Sequence, residues 1–342
     1  MKRFFFTLIY SLILSCAAFA GGDGGVEKVG NSLFDAWNTN QNLNIELHVN
    51  FDSLEVYRKK VEFLPAKVIQ NGKRLDLEVA VRGKFRRRNC AMPPLKLKFK
   101  KDGLRANGFN THNDFKLVTH CTDDAAGQDA LLREQLAYEL YNTVNPDASF
   151  RTQLLTITYV NTADGGTTTS YAILIEDADE LKDRLDTRNC KECYNMPAGQ
   201  ITNAEQVTLF QYMIGNADFG TRMIRNLKLL KGDDGRNTFV PYDFDYSGLV
   251  NATYVKPNAQ LGQRKITDRI LIWEFEASPD FTAAADHMIS LKDTLLTQVA
   301  DFDGLSNASK REVSKYLKSF YKDLKTLDLT TPKPRQERSF TP

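Results

Sequence analysis

Between Gly215 and Gly248 the chain reads GNADFGTRMIRNLKLLKGDDGRNTFVPYDFDYSG, and four of its side chains could share one piece of chemistry. Asp218, Asn226, Asp243 and Asp245 flank a short apolar hairpin whose first strand ends near Leu230 and whose second runs into Tyr242. A polar turn from Gly232 to Asn237 joins the two strands, so the four residues collect at the hairpin's two ends. Carboxylates and an amide carbonyl are hard oxygen ligands, suited to magnesium, manganese or calcium shared with phosphate oxygens. No His or Cys stands among them to favour zinc. Phosphoryl transfer needs this set: one Asp to orient the attacking hydroxyl and take its proton, and an Asn and a second Asp to hold metal on the triphosphate. It also needs a cation for the phosphates. Lys96 and Lys98 on the strand LKLKF are the candidates, at most one of which enters a cleft. Taken singly, Asp and Asn serve most often as caps and turn formers. Asp243 and Asp245, one Phe apart on a strand, share a face and stand too close for an inverting hydrolase pair.

The elements that must position these groups follow from periodicity. From Leu43 to Phe99 apolar and polar residues alternate in IELHVNF, AKVIQNGKRLDLEVAVRG and LKLKFK, which predicts an antiparallel sheet. The Asn71-Gly72 step predicts a hairpin turn, because both residues tolerate positive φ. DDAAGQDALLREQLAYELYNTV changes to helical spacing after an Asp-rich start. Strands return in QLLTITYVN and TTSYAILIED, and a helix begins near Ala178. Helical patterns then cover Gln200 to Ile214, Ile266 to Phe275 and Ala283 to Val299. Strands first and helices after predict an α+β chain with a cleft between a strand-rich N-terminal lobe (41–175) and a helical C-terminal lobe (176–330). Gly21 to Asn40 is a Gly-rich lead expected to be partly mobile, and the Pro-rich, charged tail from residue 331 is expected to be disordered.

Composition narrows the setting. Of 342 residues, 45 are Lys or Arg and 43 Asp or Glu, a balance that argues against a nucleic-acid partner or a membrane surface. The basic run Lys84-Phe85-Arg86-Arg87-Arg88 reads either as a solvated loop or as an anion site. Met1 to Ala20 has the form of a secretory signal, with Lys2 and Arg3 before an apolar run and Ala18-Phe19-Ala20 at the cleavage point. Ile13-Leu14-Ser15-Cys16 resembles a lipoprotein box, and lipidation at Cys16 is the one route to a membrane anchor that the sequence offers. An exported chain with four cysteines beyond the signal is expected to oxidise them, Cys90 with Cys121 and Cys190 with Cys193. The Cys-Lys-Glu-Cys spacing could also belong to redox chemistry or half a zinc site, but no second close pair follows.

Five blocks in order give the chain a family resemblance: AVRGKFRRR followed by PPLKLKF, ALLREQLAYEL, SYAILIEDADELKDRL, GNADFG with RNLKLL, and VPYDFDYSG. From about Phe63 to Gly248 it resembles the CotH family of atypical secreted kinases, named after spore coat protein H. The resemblance implies a two-lobed, protein-kinase-like fold that transfers the γ-phosphate of ATP, with Mg2+ or Mn2+, to Ser or Thr of an exported or cell-envelope protein. It implies Asp218 as the catalytic-loop Asp, Asn226 as a metal ligand and Asp243 or Asp245 as the activation-loop ligand. Lys96 or Lys98 would be the nucleotide lysine, fixed by Glu134 or Glu139. Arg82 and Arg133 would touch phosphate, and Glu176 would mark the adenine hinge. Several departures stand beside this. Asn226 follows Asp218 by eight positions, no His-Arg precedes the Asp, no Gly-x-Gly-x-x-Gly loop is present, and Asp-Phe-Asp replaces Asp-Phe-Gly. The alternative is a pseudokinase: an envelope binding or assembly protein that keeps the fold without turnover.

Overall fold

Alternation in the first half becomes seven strands: β1 (Leu43–Val49), β2 (Leu64–Gln70), β3 (Lys73–Val81), β4 (Leu95–Phe99), β5 (Asp114–Thr119), β6 (Thr152–Asn161) and β7 (Thr167–Ile175). They appear in a computed structural model that describes residues 30–39, 42–60, 62–190 and 193–330. The signal, the Cys16 box, residues 21–29 of the lead and the tail lie outside the described residues. Asn71 and Gly72, both at positive φ, make the β2–β3 turn. The sheet closes in the order β1-β2-β3-β4-β5-β7-β6, antiparallel throughout except where β6 returns parallel to β1. An antiparallel sheet was expected, but not a closed barrel, which is not the plain two-lobed kinase arrangement. Closure leaves no free sheet edge among these strands.

Inward residues such as Leu47, Val79, Leu97, Leu117 and Leu155 fill the barrel at 0% exposure. Each such side chain contributes roughly 1.5–3 kcal/mol. The described part of the lead contributes a plug to this core. In α1 (Leu33–Trp37) the Ser32 hydroxyl accepts from the Asp35 N–H at 2.8 Å while Asp35 accepts from the Ser32 N–H at 2.9 Å, a complete capping box. That helix seats Phe34 over Phe115 and Trp37 edge-on to Phe99. Short helices α2 (Phe51–Val56), α3 (Arg86–Asn89) and α4 (Lys101–Ala106) line the connections.

The second core forms around α5 (Ala125–Val144), the long helix read from its spacing. Although α5 lies between β5 and β6 in sequence, its apolar residues join the helical half, together with Val118, Ile173 and Ile175 on the outer barrel face. The other members are α6 (Ala178–Arg184), α7 (Ala204–Ile214), α8 (Thr282–Ser290), α9 (Lys292–Asp301) and α10 (Asn307–Asp323). A small sheet of β8 (Thr187–Asn189), β9 (Leu227–Gly232) and β10 (Asn237–Pro241), in the order β10-β9-β8, includes the hairpin read from the sequence.

Two helical expectations need correction. Residues 266–275 form no helix, because side chains claim the local backbone: Asp268 accepts from the N–H groups of Arg264 and Lys265, and Gln263 donates to the carbonyls of Ile266 and Asp268. The helix read over Ala283 to Val299 is two helices, α8 and α9. Ser290 donates to the His287 carbonyl at 2.7 Å, and the chain turns at Leu291.

Candidate functional site

Helix α7 ends at Gly215, whose φ of 68° is the left-handed conformation that glycine adopts without strain. The chain then enters an extended turn in which Asn216 accepts from the Asp218 N–H at 2.8 Å. Gly220 and Arg225 exchange backbone hydrogen bonds, and Glu274 accepts from the N–H groups of Thr221 and Arg222, which holds the turn shut. Asn226 folds back: its side-chain amide donates to the Asp218 carbonyl at 2.7 Å and to its carboxylate at 3.1 Å. Eight residues in sequence therefore become one hydrogen-bonded pair.

The far end of the hairpin returns to the same place. The Tyr242 N–H donates to the Asn226 carbonyl at 3.0 Å, and Gly248 and Leu249 donate to Gly215 and Ile214. Asp218 and Asp243 thus face a common space, and three residues around it are left-handed without being glycine: Ile224, Asn226 and Asp243, at φ 50°, 53° and 66°. Asn and Asp tolerate this conformation, whereas a β-branched Ile is a true outlier. Strain of this kind gathers at functional sites.

Two networks share the site. In the first, Arg86 lies 3.1 Å from Glu134 on α5 and 3.7 Å from Asp245, and it also donates to the Thr119 carbonyl. Tyr254 donates to Asp245 at 2.8 Å. All three charged groups are buried, at 8% exposure or less. Burial pushes both carboxyls upward in pKa, Asp243 pushes the same way, and Arg86 opposes the shift. The basic run thus splits: Arg86 turns inward while Lys84 and Arg88 stay exposed. Phe85 covers the network by stacking on Tyr254 and meeting Tyr246 edge-on. Cys90 and Cys121, with Sγ atoms 2.07 Å apart, tie this loop to the end of β5. Arg58 donates to the Cys90 and Ala91 carbonyls from the other side.

The second network is open. Asp218 is half-buried, and its pKa is raised first by burial and then by Asp243, while Arg225, 3.6 Å away, and Asn226 hold it down. Asp243 anchors its own N–H on the Tyr138 hydroxyl at 2.9 Å. Facing it is Lys116 on β5, whose ammonium lies 4.9 Å from the Tyr242 ring centre and 5.2 Å from that of Phe150. Its pKa falls to about 7, through burial and the nearby cations Arg82 and Lys228, against the pull of Asp243 and Asp114. Among the described residues neither Lys116 nor the Arg82 side chain has a hydrogen-bonded or ion-paired partner.

Several expected site residues are placed elsewhere. Lys96 and Lys98 are two apart on β4, so both take the outer face while Leu95, Leu97 and Phe99 point inward. Lys96 pairs with Asp114 at 2.6 Å at the rim, and exposed Lys98 lies over Phe63. Arg133 turns about 100° from Glu134 around α5 and binds Asp129, Ser309 and Glu312, tying that helix to α10. Glu139 accepts from Gln135 and faces a separate cavity. The fully buried Glu176 carboxylate is taken up by Arg151 and Arg184, at the crossing from β7 to α6. Lys116, Arg86, Tyr138 and Tyr254 were missed. Their signals are slight: Lys116 sits in an ordinary alternating strand, DFKLVT, and Arg86 in a run that reads as solvated.

As a metal site, the residues offer the carboxylates of Asp218 and Asp243 and the Asn226 amide oxygen, since that amide turns its NH2 toward Asp218. Among the described residues no three His, Cys, Asp or Glu side chains converge on one point. The donor set fits an ion that completes its shell with phosphate and water, the habit of magnesium. Asp245 fits poorly, being already shared between Arg86 and Tyr254.

The cysteine pairs, Cys90–Cys121 and Cys190–Cys193, are both at bonding distance, which fits an oxidising compartment. No family model matches the chain, and no curated protein matches it. Among solved structures, the crystal structure of the Helicobacter pylori proinflammatory kinase CtkA is similar over 68% of this chain and 94% of that one. The identity is 9% and the TM-score 0.37, a likeness too slight to carry a fold or an activity across.

Proposed function

We propose that the chain is an exported, metal-dependent phosphotransferase of the CotH type, acting on hydroxyl groups of an exported or cell-envelope protein. The observation that carries this reading is the open network: Asp218 and Asp243 face one space together with Asn226, and Lys116 and Arg82 lack anionic partners among the described residues. Lys116 and Arg82, without anionic partners among the described residues, stand opposite the Asp218 and Asp243 carboxylates, of which Asp218 has Arg225 at 3.6 Å, and cations and acids so placed match a triphosphate with its metal. Asp218 accepts the proton of the attacking hydroxyl as its oxygen bonds to the γ-phosphorus and the β–γ bridging bond breaks, releasing ADP. Asn226 and Asp243 would hold magnesium or manganese, which supplies neutralisation of phosphate charge. Lys116 and Arg82 take the phosphate-binding role first read onto Lys96 or Lys98. Glu134 keeps a basic partner, now Arg86.

A second reading has its own support. Asp245 is paired with Arg86, and among the described residues no three His, Cys, Asp or Glu side chains converge, which suits a pseudokinase that binds a partner without turnover. Thermal-shift titration of the mature chain with ATP, with and without Mg2+ or Mn2+, separates the cases, run beside transfer of labelled γ-phosphate to an envelope extract. Metal-dependent stabilisation with transfer is expected. Stabilisation without transfer, across metals and acceptors, selects the pseudokinase. No stabilisation in any metal removes the phosphotransferase reading and leaves the non-catalytic binding or assembly protein.

A further inference from the structure

Beside α5 a cavity of about 520 Å3 opens between that helix, β6 and α9. Its volume is that of a small-molecule site. Two of its polar groups are buried acceptors without partners. The Gln135 side-chain oxygen, in a residue only 2% exposed, has no hydrogen-bond partner, and neither does the buried Gln298 oxygen across the cavity. Each amide's NH2 is spent within the protein, Gln135 on Glu139 at 2.8 Å and Gln298 on Thr143 at 2.6 Å, which fixes the oxygens as the unpartnered atoms. Two buried acceptors left unmade are costly, at about 1–3 kcal/mol each.

Charge points the same way. Glu139 lines the cavity without a cation, and burial raises its pKa. Asp301 and Asp303 stand at the rim, with no ion pair among the described residues. The one cation in the wall, Arg151, is already held by Asp35, Glu176 and Glu180. Tyr138 and Phe150 add aromatic wall.

We infer that this cavity is a binding site for a small organic ammonium compound carrying further hydrogen-bond donors. Its ammonium pairs with Glu139, and its remaining donors reach the oxygens of Gln135 and Gln298. Polyamines and amino sugars share that chemistry. The inference is independent of the phosphotransfer reading, since it uses neither Asp218 nor Asp243.

Calorimetry on the full mature chain with spermidine and with glucosamine tests it, glucose serving as the neutral control. At least one ammonium probe should bind and glucose should not, and which probe binds identifies the source. Glu139→Gln, which keeps the shape and removes the charge, should weaken binding about tenfold or more. Gln298→Leu should weaken it as well, which keeps the test valid if one variant folds poorly. Asp186→Asn, at a distant acid, should change nothing. The inference is overturned if neither amine binds, if glucose binds equally well, or if Asp186→Asn weakens binding as much as Glu139→Gln.

Discussion

The two networks that meet at Asp243-Phe244-Asp245 differ in almost every physical respect, although a single residue separates their acids. Asp245 is buried, bonded to Tyr254 and near an arginine fixed by Glu134. Asp243 is half-exposed and left-handed, and it faces a lysine that has no anion within bonding distance among the described residues. Strand alternation does not explain this, because residues two apart on a strand share a face. The positive φ at Asp243 does: it takes the residue out of strand geometry and turns the two acids to different surroundings. One network is closed and holds the barrel against the helices, and the other lies open.

If the closed network is structural, breaking it should cost most. Replacing Arg86 by Met leaves Glu134 and Asp245 buried without their cation, and removing one partner of such a pair costs about 3–5 kcal/mol. Denaturant unfolding should show the fall in midpoint. A loss under about 1 kcal/mol would mean that water reaches both acids and that the network is not closed.

Next comes the tether that carries Arg86 to its place. The Cys90–Cys121 bridge spans 31 residues, and a loop of that size stabilises by about 3–4 kcal/mol in the chain-entropy account. The double variant Cys90→Ser with Cys121→Ser should lose most of that in the same unfolding measurement. Combined with Arg86→Met it should lose less than the sum of the two, because the tether and the ion pair hold one loop.

How legible this was in the sequence follows the range of each interaction. The β2–β3 turn, the β9–β10 hairpin and α5 were readable because local geometry sets them: Asn-Gly at positive φ, two apolar runs around a polar turn, and leucines at helical spacing. Barrel closure was not, since it rests on β6 pairing in parallel with β1 across about a hundred residues, and no local pattern states that partner. Helix α10 was readable from Val313, Leu317 and Phe320 but was passed over. Within the site, Asp218, Asn226 and Asp243 lie near one another in sequence and were found together. Lys116 was passed over because LKLKF and DFKLVT show the same alternation, and only the packing of Tyr242 and Phe150 over Lys116 distinguishes them.

The open network should reveal itself through pH. Lys116 has a folded pKa near 7 against an ordinary 10.5. Between those values the unfolded chain binds the extra proton, so stability should rise as pH increases from 7 to 10.5 and fall as pH drops back through 7. Partial exposure limits the gain to about 1–2 kcal/mol. Lys116→Met should flatten that slope and raise stability at neutral pH, while weakening metal-dependent nucleotide binding about tenfold or more. An unchanged slope would place the ammonium in water and dissolve the contrast between the networks.

The smallest expected stability effect falls on the residue proposed to matter most for chemistry. Asp218→Asn keeps the shape and leaves an amide oxygen that can still accept from Asn226, and it removes a charge that Asp243 already disfavours. The unfolding free energy should therefore stay within about 0.5 kcal/mol of the parent. Nucleotide binding should survive, because Lys116, Arg82 and Asp243 are untouched, whereas phosphate transfer should be lost for want of a group to take the hydroxyl proton. Unfolding curves, a binding isotherm and labelled-phosphate transfer on the one variant report all three quantities. Transfer at the parental rate would remove Asp218 from the chemistry. A large loss of stability would instead place Asp218 with Asp245 among the structural acids and leave the hairpin without an open side.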